Sequence, residues 1–444
     1  MKVGPGNGSD MDSVIRYHER TKHRPGRYAP SPGFLDWANE PDPFRRYEGS
    51  GFLSLPLSQR DPDAGYHGLY ERSGNIFQPF SLENISTFLE LSLGLSAWKS
   101  YAGNSWALRI NPSSGNLHPT EAYLILQPLP ENDNRGGVCH YNSFLHALEQ
   151  RAFFDDSFWS GIRSYFRVDG FFIGLSSIYW RESWKYGERA FRYCQHDIGH
   201  AMASLSFAGN LLGWQLIYLN ALSDEDVETL LGFRKTRWER AERENPGPLF
   251  FVYPTTAKNV PRDIPPLIIE SFRSFSYFGE PNRLSSVHRN WPAIDEVSAA
   301  TEKPRTPWKQ YLYQEYEFFR EETSQKKAAT IIRQRRSGLA FDGKTVLPKS
   351  GLFGMLDKTV PRGRCAPFDM EMGEPSVHLL LFLYRVPDLE PGIYFLVRNL
   401  RDLEDLRGRC RPDFLWESIE GTSEPVHLYL LKKGDFRNEG ATAG

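Results

Sequence analysis

Two spacings of apolar residues alternate along the chain. SLENISTFLELSLGL sets Ser81 ahead of leucines at helical spacing, which predicts a capped helix. EAYLILQPL (121–129) and PLFFVYP (248–254) are short, nearly continuous apolar runs and predict buried strands. Between Cys194 and Leu212, residues Ile198, Ala201, Met202, Leu205, Ala208 and Leu212 fall on one helical face. SDEDVETLLG predicts a short helix started by Ser223 and stopped by Gly232. Helices and strands are interleaved, so the expected class is α+β, in an α/β three-layer arrangement.

The pattern is uneven. Residues 1–65 are polar and rich in Arg, Pro and aromatics, and are expected as an N-terminal arm. Within it, YHERTKHRPGRY suits either an anion-binding arm or a solvated arm packed on the main domain. A patterned domain is expected over 66–255. Eight prolines fall from Pro254 to Pro307, and 256–325 are expected as a Pro-rich linker. A second patterned domain is expected over 326–444.

The two patterned regions share segments. RSGNIF (72–77) recurs as RSGLAF (336–341), 264 residues later, and GVCHYNSFLHALE (137–149) as GIYFLVRNLRDLE (392–404), 255 residues later. Two matches in the same order at nearly one offset predict a duplicated domain, a pseudo-dimer within one chain. A homodimer of the whole chain would be compatible with it.

Bulk properties narrow the function classes. A chain of 444 residues exceeds the usual single domain. A net charge of −2 gives no global field for nucleic acid or a membrane surface. No run approaches the roughly 18 apolar residues that span a bilayer. MKVGPGNGSD has no apolar stretch of signal-peptide type. Cys139, Cys194, Cys365 and Cys410 are scattered without a CxxC pair, so a reducing cytoplasmic setting is expected.

Three segments could carry chemistry. In LRINPSSGNLHPTEAYLIL, Pro112, Ser113, Ser114 and Asn116 make a loop of hydroxyls and exposed amides before a buried strand. Such a loop suits a phosphate or the polar edge of a heterocycle, or is an ordinary turn. In RQRRSGLAF, Arg335, Arg336 and Ser337 could cradle phosphate, or end a solvated basic helix. In WKYGERAFRYCQHDIGH, Lys185 and Tyr186 could move protons beside a pocket, or sit at the surface. His196, Asp197 and His200 invite a metal reading, as in a metal-dependent hydrolase. HDIGH lacks the Glu of HExxH, however, so the histidines are expected as hydrogen-bonded core residues and no metal is expected.

NPSSGNLHPTEAYLI and KYGERAFRYCQHDIGHA together resemble the nitroreductase family, and within it the SagB/ThcOx-type (azoline) dehydrogenases. The resemblance spans about 65–255 well and 325–433 in part. It implies a mixed sheet flanked by helices, with FMN held between two halves of a tandem protein. By that resemblance Arg335, Arg336 and Ser337 hold the phosphate, Pro112, Ser113, Ser114 and Asn116 approach the flavin, and Lys185 and Tyr186 are catalytic acid/base residues. The first half's own copy of the Arg motif reads Glu71, Arg72, Ser73. The second half's nearest equivalent of PSSGN is VPRGRCAPFD, without the Ser and Asn, and that half is expected to be an incomplete copy. One FMN site per chain is the expectation. The substrate is expected to be a small heterocycle, a nitro or quinone compound, or an azoline-containing peptide, with NAD(P)H as a possible electron donor. The alternative is a flavin-binding or flavin-free pseudoenzyme that stores or sequesters.

Overall fold

The computed structural model describes residues 8–24, 26–58, 60–71, 76–319, 324–338 and 340–443. The expected Arg72–Ser73 copy of the phosphate motif lies outside the described residues. The chain divides into two compact units, one of residues 1–309 with 326–335, the other of 310–325 with 336–444.

In chain order, the first unit contains α1 (Gly8–Thr21), β1 (Gly51–Ser54), α2 (Leu82–Leu93), β2 (Leu95–Tyr101), β3 (Asn104–Arg109) and β4 (Thr120–Leu129). Next come β5 (Arg135–Asn142), β6 (Ala147–Phe154), α3 (Asp156–Phe166), β7 (Phe171–Ile178), α4 (Tyr179–Tyr186) and α5 (Ala190–Leu211). They are followed by β8 (Trp214–Tyr218), α6 (Asp224–Leu231), β9 (Glu244–Pro254), α7 (Pro266–Ser271), α8 (Pro292–Ala300) and α9 (Ala328–Gln334). Seven strands form one sheet in the order β1-β6-β5-β4-β7-β9-β8, and every pairing between them is antiparallel.

Helices cover both faces of this sheet, the α+β three-layer arrangement expected. Successive strand residues point to opposite faces, and Phe171–Phe172 of β7 show the consequence. Phe171 packs on Phe88 of α2 and on Trp214. Phe172 packs on Trp159 and Phe166 of α3, and Phe166 stacks on Phe251 at 4.1 Å between centroids. α6 adds Val227, Leu230 and Leu231 to the Phe172 side.

The local signals act as their chemistry dictates. Ser81 caps α2 by accepting from the Asn84 amide. Ser223 and Asp226 form a reciprocal capping box on α6, and Gly232 ends it in the left-handed conformation. α5 buries Ile198, Ala201, Leu205 and Ala208, the face seen in the sequence.

Residues 256–309, expected as linker, fold into the first unit. The prolines there punctuate helices: Pro266 and Pro292 occupy the first turns of α7 and α8, where a missing N–H costs nothing. Ile264, Ile269, Phe272, Trp291, Ile294 and Val297 are buried. The N-terminal segment also belongs to this unit. β1 pairs with β6, and Tyr17 donates to the Glu188 carbonyl at 2.6 Å while Arg20 pairs with the Glu188 carboxylate. Arg333 is held by Asp61 and Glu90.

The second unit contains α10 (Lys349–Asp357), β10 (Leu379–Leu383), β11 (Gly392–Val397), α11 (Leu403–Arg409), β12 (Glu417–Ser418), β13 (His427–Lys433) and α12 (Arg437–Ala443). Its sheet order is β10-β11-β13-β12. The repeat read in the sequence has a counterpart in register. Leu124 stands opposite Cys139 in the β4–β5 hairpin, and Leu381 opposite Tyr394 in the β10–β11 hairpin. Beyond the strand the likeness ends: 143–149 turn back into β6, whereas 398–404 lead into α11.

Among the described residues, no helix is long and apolar enough to cross a membrane.

Candidate active site

The site is built on the short connection between β3 and β4 and on the end of α4, all in the first unit. A buried ionic network sets these two pieces against each other. Arg181 of α4 donates through Nη1 to the His118 carbonyl at 2.7 Å and to the Glu121 carboxylate at 2.5 Å. Glu121 also faces Arg109 at 3.8 Å and His140 Nε2 at 3.1 Å, and His140 Nδ1 faces Glu149 at 2.8 Å. Burial opposes charge on Glu121, but Arg181, Arg109 and His140 prevail and hold its carboxyl well below the usual range. Burial likewise opposes charge on His140, but Glu121 and Glu149 push it up to about 9. Charges so enclosed need all their partners, and here they tie the loop to α4 through the His118 carbonyl.

The loop itself is tightly determined. Ser114 donates to the Asp197 carboxylate of α5 through its amide (3.0 Å) and through its hydroxyl (2.9 Å). Ser113 Oγ accepts from the His118 amide at 2.8 Å. Asn116 Nδ2 donates to the Ala107 carbonyl at 2.9 Å, and its Oδ1 stands 3.1 Å from His118 Nε2. With Oδ1 accepting, Nε2 carries the proton, and buried Nδ1 has no hydrogen-bond partner among the described residues. Burial, with Arg109 and Arg181 close by, holds His118 well below its ordinary pKa, in the neutral form. Asn116 and His118 both have positive φ, 63° and 52°.

Gly115 is where the loop meets α4. Its φ is +58°, and a Cβ placed there would lie 2.5 Å from Tyr186 Oη and 3.0 Å from Lys185 Nζ. Lys185 Nζ lies 3.5 Å from the Gly115 carbonyl and 5.6 Å from the centroid of the Tyr186 ring. Tyr186 packs against Tyr193 at 4.5 Å. Burial, then Glu182, Tyr193 and Asp197, pushes the Tyr186 phenol up to about 12, so it holds its proton at neutral pH.

Arg335, at the end of α9, donates through Nη2 to the Ile110 carbonyl at 3.1 Å, one residue before Asn111. The structure therefore brings Ser113, Ser114, Asn116, Lys185, Tyr186 and Arg335 to one loop. Pro112 lies within it. Arg336 and Ser337 are exposed and belong to the second unit.

The histidines expected in the core are a correction. His196 and His200 are exposed on α5, because the buried face passes through Cys194, Asp197, Ile198 and Ala201. Among the described residues no cluster of three His, Cys, Asp or Glu could hold a metal. Asp197, read from sequence only as a metal candidate, holds Ser114 instead. Glu182 was missed altogether. Its place three and four residues before Lys185 and Tyr186, on the same helical face, was the available signal.

A cavity of about 1050 Å³ opens elsewhere in the unit, walled by Tyr179, Trp180, Phe191, Asn245, Trp291 and Lys303 among others. None of the loop residues, nor Lys185 or Tyr186, lines it. The loop site is the stronger candidate because hydroxyls, a cation and a phenol converge there.

Neither a protein-family model nor a curated protein matches the chain. Solved structures do. The crystal structure of a putative nitroreductase from Anabaena variabilis ATCC 29413 is similar over 96% of this chain and 80% of its own, at 18% identity and a TM-score of 0.59. Another nitroreductase structure described in the same terms, from Ralstonia eutropha JMP134, covers 52% of this chain and 100% of its own at 15% identity, with a TM-score of 0.33. The E. coli microcin synthetase McbBCD complex with truncated pro-MccB17 bound covers 58% and 85%, at 14% identity and a TM-score of 0.31. The first of these establishes a nitroreductase-like fold.

Proposed function

We propose that the chain is an FMN-dependent oxidoreductase whose reacting groups are the 112–116 loop, Lys185 and Tyr186. The observation that carries the reading is the close approach at Gly115, where loop backbone, a cation and a phenol meet on a nitroreductase-like fold. A side chain at 115 would collide with Tyr186 and Lys185, so glycine lets both groups approach the loop backbone.

The residues present fit a flavin. Buried Asn111 Oδ1 is an acceptor with no hydrogen-bond partner among the described residues, as a ring imide N–H requires. Arg335 places a guanidinium at the adjoining carbonyl, the chemistry that a phosphate requires. When bound, the flavin supplies hydride transfer. The protein's part is orientation and proton transfer. Asp197 fixes Ser114, and Arg181 fixes the His118 carbonyl, so the loop cannot shift relative to α4 without breaking buried bonds. Tyr186 offers a phenolic proton, and the Lys185 cation beside it stabilises the charge left after that proton moves.

The substrate class is a small heterocycle, a nitro or quinone compound, or an azoline-containing peptide. For reduction, NAD(P)H is the proposed donor. Lys185→Ala and Tyr186→Phe, each loaded with FMN, test the assignment: turnover of a quinone or nitro acceptor should fall roughly a hundredfold. Full turnover in both variants overturns it.

A further inference from the structure

The basic segment YHERTKHRPGRY (17–28) takes no part in the site described above, yet it folds against the helix that carries Tyr193 and Asp197. α1 ends at Thr21, which is buried, and two arginines close on that one residue. Arg189, just before α5, donates through Nη1 to the Thr21 carbonyl at 2.5 Å. Arg192, in the first turn of α5, donates through Nε to the Thr21 hydroxyl at 2.9 Å. Arg189 Nε also donates to Tyr193 Oη at 3.0 Å, and Arg192 Nη2 donates to His18 Nδ1 at 3.0 Å and to the His18 carbonyl at 3.1 Å.

Every one of these partners is a carbonyl, a hydroxyl or an accepting imidazole nitrogen. Among the described residues neither guanidinium has a carboxylate partner, whereas their neighbours do. Arg20 pairs with Glu188, and Lys22 and Arg24 share Glu19. Burial first, and Arg189 among the charges, holds Arg192 below its ordinary pKa, with Tyr17 opposing. Burial and then Arg189 do the same to His23. Two cations fixed together without a counter-charge leave a place for an anion. Donors remain for it. Arg189 Nη2 and Arg192 Nη1 make no hydrogen bond to the described residues, and both side chains are partly exposed. A guanidinium fork matches the oxygens of a phosphate, and one already anchored loses little freedom on binding.

The pair stands one ring away from the candidate active site. Arg189 lies over the Tyr193 ring at 5.2 Å, and Tyr193 packs on Tyr186 at 4.5 Å.

We propose that Arg189 and Arg192 bind the phosphate of a small molecule whose other end reaches Tyr186. The placing of that other end rests on the site reading above; the phosphate site itself does not. Two donors fixed on one residue suit a single compact, doubly charged oxyanion. An acidic peptide would need free cations spread along the segment, and there Arg20, Lys22 and Arg24 are already engaged. The phosphate is that of the nicotinamide donor or one carried by the substrate, and the chemistry of recognition is the same.

Calorimetric titration of the full chain with inorganic pyrophosphate at low ionic strength tests the site. One binding event per chain is expected, weakened roughly tenfold or more in Arg189→Gln and in Arg192→Gln. Arg192→Lys keeps the charge but not the fork and should bind several-fold more weakly than wild type. Arg24→Gln should bind as wild type does. No binding, equal affinity in R192Q or R192K, an equal loss in R24Q, or binding that vanishes only in Arg335→Ala overturns the site. A glutamate peptide that binds more tightly than pyrophosphate overturns its assignment to phosphate. Steady-state kinetics then separate the two sources. R192Q raises KM for the nicotinamide donor if the phosphate is the donor's, and KM for a phosphorylated acceptor, but not for its dephosphorylated form, if it is the substrate's. Neither change, with pyrophosphate binding lost as expected, refutes the link to Tyr186. Full turnover in both K185A and Y186F refutes the site reading and leaves the phosphate site standing.

Discussion

Replacing Gly115 with Ala tests the geometry at the centre of the site. Two effects separate cleanly. An alanine at φ +58° pays the left-handed penalty, roughly 1–2 kcal/mol. The new methyl would also lie 2.5 Å from Tyr186 Oη, well inside the 3.4 Å at which ordinary contact begins. The obstructing atoms are the ends of two side chains, not backbone, so the protein relieves the clash by moving Tyr186 and Lys185 about 1 Å. Displacement of that size at reacting groups costs roughly a hundredfold in rate. The expected result is therefore a chain that folds, loses about 1–2 kcal/mol in urea unfolding, and loses about two orders of magnitude in kcat with FMN still bound. Urea titration and steady-state quinone reduction measure the two quantities on one preparation. A G115A protein within twofold of wild-type kcat would refute the claim that Gly115 holds open the space in which Lys185 and Tyr186 work.

His140 makes stability pH-dependent. Its pKa is raised to about 9 in the folded chain, so its contribution is fully present below about pH 6.5 and is lost as pH rises toward 9. The full contribution is about 3 kcal/mol at most. His140→Gln should be destabilised at pH 6 and differ much less from wild type at pH 10; an equal loss at both pH values contradicts this. Asp197→Asn weakens the hold on Ser114, and limited proteolysis should then cut near 112–116 faster than in wild type, with no change if the loop is fixed by other bonds. Ser223→Ala removes one arm of the capping box on α6 and should cost about 1 kcal/mol in denaturant unfolding; no measurable loss would show that packing alone holds that helix end.

Much of the fold was legible because its signals are local. Ser81, Ser223 and Gly232 act on backbone groups within four residues, and the buried face of α5 follows from helical spacing alone. The 256–309 stretch was not legible. Its prolines break periodicity, and only tertiary packing reveals that Pro266 and Pro292 open helices. The repeat at 137–149 and 392–404 was readable through the strand, where alternation persists, and misleading beyond it, where one copy turns into β6 and the other into α11. At the site, PSSGN and Lys185–Tyr186 stand out by composition. Arg181, Glu121, His140 and Glu149 do not, because the network joins residues from three strands and a helix. The histidines of HDIGH drew attention by their spacing, yet that spacing puts both outside the buried face and leaves Asp197 inside.

Binding of FMN is the central claim, and an absorbance spectrum of the purified protein, taken before and after heat release of bound ligand, tests it most directly. Flavin bands near one per chain are predicted, with Arg335→Ala removing them. A folded, colourless protein that takes up no added FMN would contradict the account and leave a flavin-free member of the fold.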